Sequence, residues 1–150
     1  MPNHCMNQVA LVCPSEEAAQ AIKKLLAGKE GMFDFNTLVP EPPEVLETAK
    51  KGAKKGATME ELRAKYGSNN WYDWRLANWG TKWNAYDCEL DASRIKQGIL
   101  EYRFDTAWGP PAGVCRRLLD HIIDHNLGIQ IDWFYHEPMM GFQGQLEEEV

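Results

Sequence analysis

Alternation of apolar and polar side chains marks two strands in the middle of the chain. Every second residue is apolar in both segments, namely Tyr86, Cys88 and Leu90 within Asn84–Asp91, and Leu100, Tyr102 and Phe104 within Ile99–Asp105. The intervening positions carry acids and one arginine. This period of two predicts half-buried strands, and the short link at 92–98 predicts that they pair in antiparallel fashion.

Two amphipathic helices are predicted on either side of this pair. The first follows a strand at Cys5–Cys13 and begins after Ser15, a favourable N-cap. The second begins at Pro110 and Pro111, which suit the first helical turn. A fourth strand is predicted at 129–136 and a short last strand at 142–146, whereas 33–40 is predicted to be an extended segment.

The order strand, helix, strand, strand, helix, strand is typical of an α+β, ferredoxin-like (α/β plait) domain, an antiparallel sheet with helices on one face. We expect residues 1–150 to form one such domain. A helical insertion is predicted at about 41–80, after the first helix, and an extra strand at the C-terminus.

Charge is unevenly distributed along the chain. Residues 50–65 hold six Lys and Arg against two Glu, so this stretch has a charge of +4. Because the net charge of the chain is −6, the remaining residues together carry −10. An acidic body makes nucleic acid an unlikely partner, because affinity for nucleic acid is mostly cationic. The absence of a long apolar run and of C-x-x-C pairs predicts a reduced, cytoplasmic protein without a membrane span.

Six tryptophans stand out in a chain of 150 residues. Dense aromatics with Asn, Asp and Lys between them are typical of either a structural corner or a binding surface. Trp133 alternates with isoleucines and is predicted to be core. For Trp79, Trp83 and Trp108 both interpretations stay open.

Several blocks of sequence resemble one family. They are Met1-Pro2-Asn3-His4-Cys5-x-Asn7, Phe33-Asp34-Phe35-Asn36-x-Leu38-Val39-Pro40, Trp71-Tyr72-Asp73-Trp74, Asn78-Trp79-Gly80-Thr81-Lys82-Trp83-Asn84-Ala85, Phe104-Asp105-Thr106-Ala107-Trp108-Gly109-Pro110-Pro111 and Tyr135-His136-Glu137-Pro138-Met139-Met140-Gly141-Phe142-x-Gly144. Together they are similar to the YubB-like ferredoxin-like domain family of bacteriophages, prophages and conjugative plasmids. The resemblance implies an α/β plait and an accessory role on a mobile element, and it implies no known reaction.

Acidic side chains supply the alternative of an enzyme. If Asp87 and Asp105 lie on neighbouring strands, they can form an acid–base pair, with Glu137 as a third carboxylate, or they are simply outward-facing strand acids. His121 and His125 have a spacing that can bind a metal, but their neighbours are charged and solvated. No catalytic signature appears, and neither a catalytic residue, a metal nor a cofactor is predicted.

The leading hypothesis is therefore a non-enzymatic interaction protein that binds a host or mobile-element protein. The predicted binding residues are Trp79, Trp83, Asp87, Asp105, Trp108, Glu137 and Phe142. The alternatives are a small enzyme with an Asp/Glu pair in a Trp-lined pocket and a nucleic-acid-associated protein that uses the Lys-rich insertion. Oligomeric state is not predicted.

Overall fold

A five-stranded antiparallel sheet forms the centre of the computed structural model, which describes residues 3–49 and 59–150. The strand order is β2-β3-β1-β4-β5. The strands are β1 (His4–Val12), β2 (Tyr86–Asp91), β3 (Ile99–Ala107), β4 (Gln130–Glu137) and β5 (Phe142–Gln145). The α+β class is thus confirmed, and the fifth strand lies at the edge beside β4.

Six α-helices lie within the described residues, and three of them fall between the first helix and β2. They are α1 (Glu16–Leu26), α2 (Pro43–Leu46), α3 (Met59–Tyr66), α4 (Trp71–Asn78), α5 (Ala112–Asp124) and α6 (Leu146–Glu149). None of these helices has the length and apolar content needed to cross a bilayer. Of the Lys-rich stretch at 50–65, residues 50–58 lie outside the described residues.

The hydrophobic core lies on one face of the sheet. Alternate residues of β1, including Cys5, Val9 and Leu11, are buried against α1 and α5, while the residues between them face away from the helices. Trp133 of β4 is fully buried, as the pattern of its strand predicted. On the opposite face, polar side chains such as Gln8, Arg103 and Asp132 are exposed within the described part of the chain.

A buried hydrogen-bond network joins the three central strands. Asn7 Nδ2 donates to Thr106 Oγ1 at 2.9 Å, and Asn7 Oδ1 accepts from Trp133 Nε1 at 3.0 Å. Buried polar groups are stable only when they are paired in this way. Asn7 thus fixes the side chains of β1, β3 and β4 relative to one another.

The predicted extended segment at 33–40 is wrong for its centre, where Phe35–Thr37 forms a 3₁₀ turn. Asp34 caps this turn, because its carboxylate accepts the Asn36 backbone N–H at 3.0 Å. Alternation of aromatic and polar residues gave the appearance of a strand. The local hydrogen bond from an Asp side chain to the backbone is a competing signal that favours a turn.

Candidate functional site: an aromatic end of the sheet

The strand register brings several exposed side chains to one end of the sheet. His4 at the start of β1 pairs with Ala107 at the end of β3, and Met6 pairs with His136 near the end of β4. Tyr86, which starts β2, pairs with Asp105 at the same end. We call this region the aromatic end and define it by His4, Lys82, Trp83, Tyr86 and Trp108.

Two exposed tryptophans flank one lysine at the aromatic end. Lys82 Nζ lies 4.7 Å from the ring centroid of Trp83 and 5.8 Å from that of Trp108. Trp83 is 38% exposed and Trp108 is 53% exposed. Both distances lie in the range in which an ammonium is attracted to an indole face. The arrangement presents two aromatic faces and a cation to solvent.

The loop that carries Lys82 and Trp83 is held by Arg75 of α4. Arg75 Nε and Nη2 donate to the two carboxylate oxygens of Glu41, each at 2.8 Å, and Nη1 donates to the Lys82 carbonyl at 3.1 Å. The Arg75 and Glu41 side chains are only 17% and 3% exposed. Bidentate pairing of this kind fixes geometry as well as contributing energy. The position of Lys82 is thus set from the interior.

Two further polar side chains fix the same loop on either side of Trp83. Thr81 Oγ1 donates to the Ala107 carbonyl at 2.8 Å, which ties the loop to β3. Asn84 Oδ1 accepts the Phe35 N–H at 2.9 Å, and its Nδ2 donates to Asp34 at 2.8 Å. Trp83 therefore projects from a pre-ordered loop, which lowers the entropy lost when it binds a partner.

Trp108 has an unusual backbone. Its φ is +72°, a value that is an outlier for a bulky residue, and its N–H donates to the Asn3 carbonyl at 2.7 Å. Thr106 Oγ1 closes the turn by donating to the Gly109 carbonyl at 2.7 Å. Conformational strain that is held by surrounding hydrogen bonds is enriched at functional sites. Here it turns a large indole outward into solvent.

Tyr86 lies on the open face of the sheet, so its predicted place beside Cys88 and Leu90 is wrong. A β-bulge between Tyr86 and Glu89, with Asp87 at φ +51°, reverses the alternation of β2. The Tyr86 hydroxyl consequently hydrogen-bonds to Nδ1 of His4, and its ring contacts Trp83 edge-on at 6.1 Å.

Electrostatics at this end favour a protonated phenol. Burial, and then the carboxylates of Asp105 and Asp87, raise the pKa of Tyr86 to about 12. Burial also raises the pKa of the Asp105 carboxyl; Asp87 adds to that rise, whereas Arg103 opposes it. The negative charge of Asp87 thus opposes ionisation of Asp105.

Glu137 does not join these two carboxylates. It is 0% exposed, on the helix-covered side of β4, where its carboxylate accepts the backbone N–H of Met139 at 3.2 Å and also that of Met140. Glu137 thus holds the turn between β4 and β5 and is unavailable to a ligand. The three-carboxylate site anticipated for an enzyme is not assembled, because Glu137 is buried on the face of the sheet opposite Asp105.

Trp79 is also removed from the surface. It is 0% exposed, with rings of Phe35 and Trp74 at 5.6 and 5.7 Å, and its Nε1 donates to the Val39 carbonyl at 2.8 Å. Of the two interpretations of this residue, the structural corner is the one that the geometry supports. Trp79 contributes to the aromatic end only by packing behind it.

The turn after β4 lies at the same end of the sheet as Trp108. Met139 is 76% exposed there, with Met140 and Phe142 also exposed. Phe142 is 38% exposed, and its predicted role in binding stays a prediction. Its ring centroid lies 6.1 Å from that of Tyr135, which supports it from the sheet.

Sequence reasoning did not select His4, Lys82 or Tyr86. Lys82 had a visible signal, because it directly precedes Trp83 in a run of aromatic and polar residues. His4 and Tyr86 had none, because the bulge and the pairing of distant strands bring them together.

Within the described residues, no group of three or more His, Cys, Asp and Glu side chains is arranged to hold a metal ion. His121 and His125 stack with ring centroids 4.3 Å apart, and His125 Nδ1 lies 3.0 Å from the His121 carbonyl oxygen. That nitrogen is engaged by its own helix.

Searches against protein-family models, curated proteins and solved structures found no match to this chain.

Proposed function

We propose that this protein is a non-enzymatic, cytoplasmic interaction module that binds another protein through its aromatic end. The observation that carries the proposal is the position of Lys82, which lies on a rigid loop between the exposed rings of Trp83 and Trp108. Tryptophans dominate the binding energy of many protein interfaces, particularly where they are pre-ordered.

We further propose that the fold is a ferredoxin-like α/β plait to which β5 is appended. The succession of β1, α1, β2, β3, α5 and β4 along the chain supports this assignment, as do β1 and β3 at the centre of the sheet. Asn7 and Trp74, which belong to the sequence blocks that resemble the YubB-like family, are buried in the core. On the YubB-like resemblance, the partner is a host protein or a protein of the mobile element.

Affinity capture tests the proposal. The tagged protein is incubated with host lysate, with and without nuclease, and bound proteins are identified by mass spectrometry. We expect one stoichiometric partner that survives nuclease, and a loss of at least about tenfold in its affinity for a Trp83→Ala/Trp108→Ala variant. Tyr72→Ala is the matched control, since Tyr72 is an exposed aromatic residue on α4.

Two outcomes would contradict the proposal. One is a partner retained equally by the double variant, provided that circular dichroism shows both proteins folded. The other is recovery of nuclease-sensitive material alone, which would favour the alternative of nucleic-acid binding through the Lys-rich stretch.

A further inference from the structure

Within the described residues, the sheet has a hollow on the face opposite the hydrophobic core. A groove of about 380 Å³ crosses its middle, bounded by side chains of all five strands. The register arranges these side chains in two rows across the sheet, Glu89–Arg103–Gln8–Phe134–Gln145 and Asp91–Glu101–Ala10–Asp132. We call this feature the sheet groove.

The hollow has a simple steric origin. The central strand β1 contributes its smallest side chain, Ala10, at a position where the neighbouring strands contribute Glu101 and Asp132. Side chains of a sheet stand roughly perpendicular to it, so a short residue between two longer ones leaves a trough. Phe134 in the adjacent row is half-buried and forms an apolar wall.

The sheet groove is strongly anionic. Four carboxylates line it, those of Glu89, Asp91, Glu101 and Asp132, against the guanidinium of Arg103. Glu101 is ion-paired with Arg94, so the negative charge of the groove rests mainly on Glu89, Asp91 and Asp132. A concave surface lined by one sign of charge concentrates ligands of the opposite sign. It repels phosphate backbones and attracts ammonium and guanidinium groups, for which the Phe134 ring offers an additional binding face.

The sheet groove and the aromatic end lie along the same side of β1. Gln8 lines the groove and His4 lies at the aromatic end, with Met6 between them on the same face. Four residues of extended strand span about 13 Å. An extended peptide of about five residues is therefore long enough to reach both features.

We propose that the sheet groove binds an extended Lys- or Arg-rich segment of the same protein partner whose surface contacts the aromatic end. The inference rests on the proposed interaction function and adds the chemistry of the partner to it. Basic side chains of the segment pair with Glu89 and Asp132, since Glu101 already pairs with Arg94. Their aliphatic stems lie against Phe134.

A fluorescein-labelled nona-arginine peptide is the probe, and binding is followed by fluorescence anisotropy. The groove variant is Glu89→Lys/Asp132→Lys. Its matched control is Asp124→Lys/Glu148→Lys, which changes net charge equally on exposed positions of α5 and α6. We expect the groove variant to lose at least about tenfold in affinity and the control to lose less than about twofold.

Equal losses in the two variants would show that binding follows net charge alone and would overturn the inference, as would a lack of binding by the unaltered protein. Because charge reversal beside Arg103 can destabilise β2, a neutral pair, Glu89→Gln/Asp132→Asn, serves as a second groove variant. We expect an intermediate loss of affinity from it, and full retention would equally overturn the inference.

Partner capture separates this inference from the proposed function. A partner lost by Trp83→Ala/Trp108→Ala but kept by both groove variants supports the interaction function and refutes the groove. A partner lost by the groove variants alone supports the groove and refutes the role of the aromatic end.

Discussion

Trp79 provides the sharpest test of how this structure distinguishes its tryptophans. Its indole is enclosed by Phe35 and Trp74, and Arg75 lies 5.0 Å from its ring centroid. Its Nε1 is the donor for the Val39 carbonyl. Trp108, by contrast, exposes 53% of its surface. The same substitution, Trp to Ala, should therefore have very different consequences at the two positions.

The expected loss at Trp79 follows from burial. Replacement of a buried tryptophan by alanine lowers the free energy of unfolding by about 3–5 kcal/mol, because apolar contacts are lost and a cavity remains. The Val39 carbonyl also loses its partner, and an unpaired buried acceptor costs about 1–3 kcal/mol when the side chain is otherwise conserved. Measured losses for Trp to Ala already include such lost hydrogen bonds, so we expect about 3–5 kcal/mol for Trp79→Ala. Trp79→Phe keeps most of the apolar contacts and loses the hydrogen bond, so we expect about 1–3 kcal/mol for it.

Trp108→Ala should change the free energy of unfolding by about 0.5 kcal/mol or less, as is usual for exposed positions. Guanidinium chloride unfolding, followed by circular dichroism at 222 nm, measures all three variants against the unaltered protein. In a domain of this size, the loss for Trp79→Ala corresponds to a decrease in melting temperature of about 6–20 °C.

The reasoning would be refuted if Trp79→Ala destabilised the protein by less than about 1 kcal/mol, or if Trp108→Ala were the more destabilising of the two. If the slope of the free energy of unfolding against denaturant concentration differed between variants, the unfolded states would not be equivalent. The variants would then be ranked by their melting temperatures.

Three further outcomes are expected. Asn7→Ala should lower the free energy of unfolding by about 2–4 kcal/mol, because it leaves the buried indole Nε1–H of Trp133 without an acceptor. Urea unfolding measures this change, and a loss below about 1 kcal/mol would contradict the prediction. Gly113→Ala should be at least as destabilising, since a Cβ there would lie 2.0 Å from the Asn78 carbonyl oxygen. A folded variant with an unchanged melting temperature would disprove the close packing of α4 against α5. Burial raises the pKa of the Cys115 thiol from 9.0 to about 12. Its contribution to the free energy of unfolding is complete below pH 9 and declines as pH rises, by at most about 1.4 kcal/mol per pH unit. In denaturant unfolding between pH 9 and about 10.5, Cys115→Ala should therefore show a smaller loss of stability with pH than the unaltered protein. An unchanged pH dependence would contradict this prediction.

Strong local periodicity made the regular elements predictable. The alternation in β3 and the N-cap at Ser15 both depend on near neighbours, and the structure contains both features. Tyr86 was assigned to the wrong face because a single bulge residue reverses a period of two, and nothing in the local pattern reveals the bulge. Glu137 was assigned to the binding residues, although its burial could have been predicted because it continues the alternation of Trp133 and Tyr135 into the core.

The tryptophans show where sequence reasoning about the site ended. Trp79 and Trp108 both follow polar or small residues and precede Gly, so their local patterns are alike. Burial of one and exposure of the other depend on contacts with Phe35 and on the backbone of the turn after β3. The aromatic end required two strands distant in sequence to pair before its members met.

The two edges of the sheet differ in a way that limits self-association. The outer strand β2 exposes Asp87, Glu89 and Asp91 and contains the bulge, whereas the opposite outer strand β5 carries no charged residue between Phe142 and Gln145. Growth of a filament by strand addition requires the β2 edge to pair with β5 or with β2 of another copy, and its carboxylates and bulge oppose both contacts. Pairing of β5 with β5 would close a two-fold pair and leave only charged edges outside. The fold thus restricts strand exchange between copies to a finite assembly.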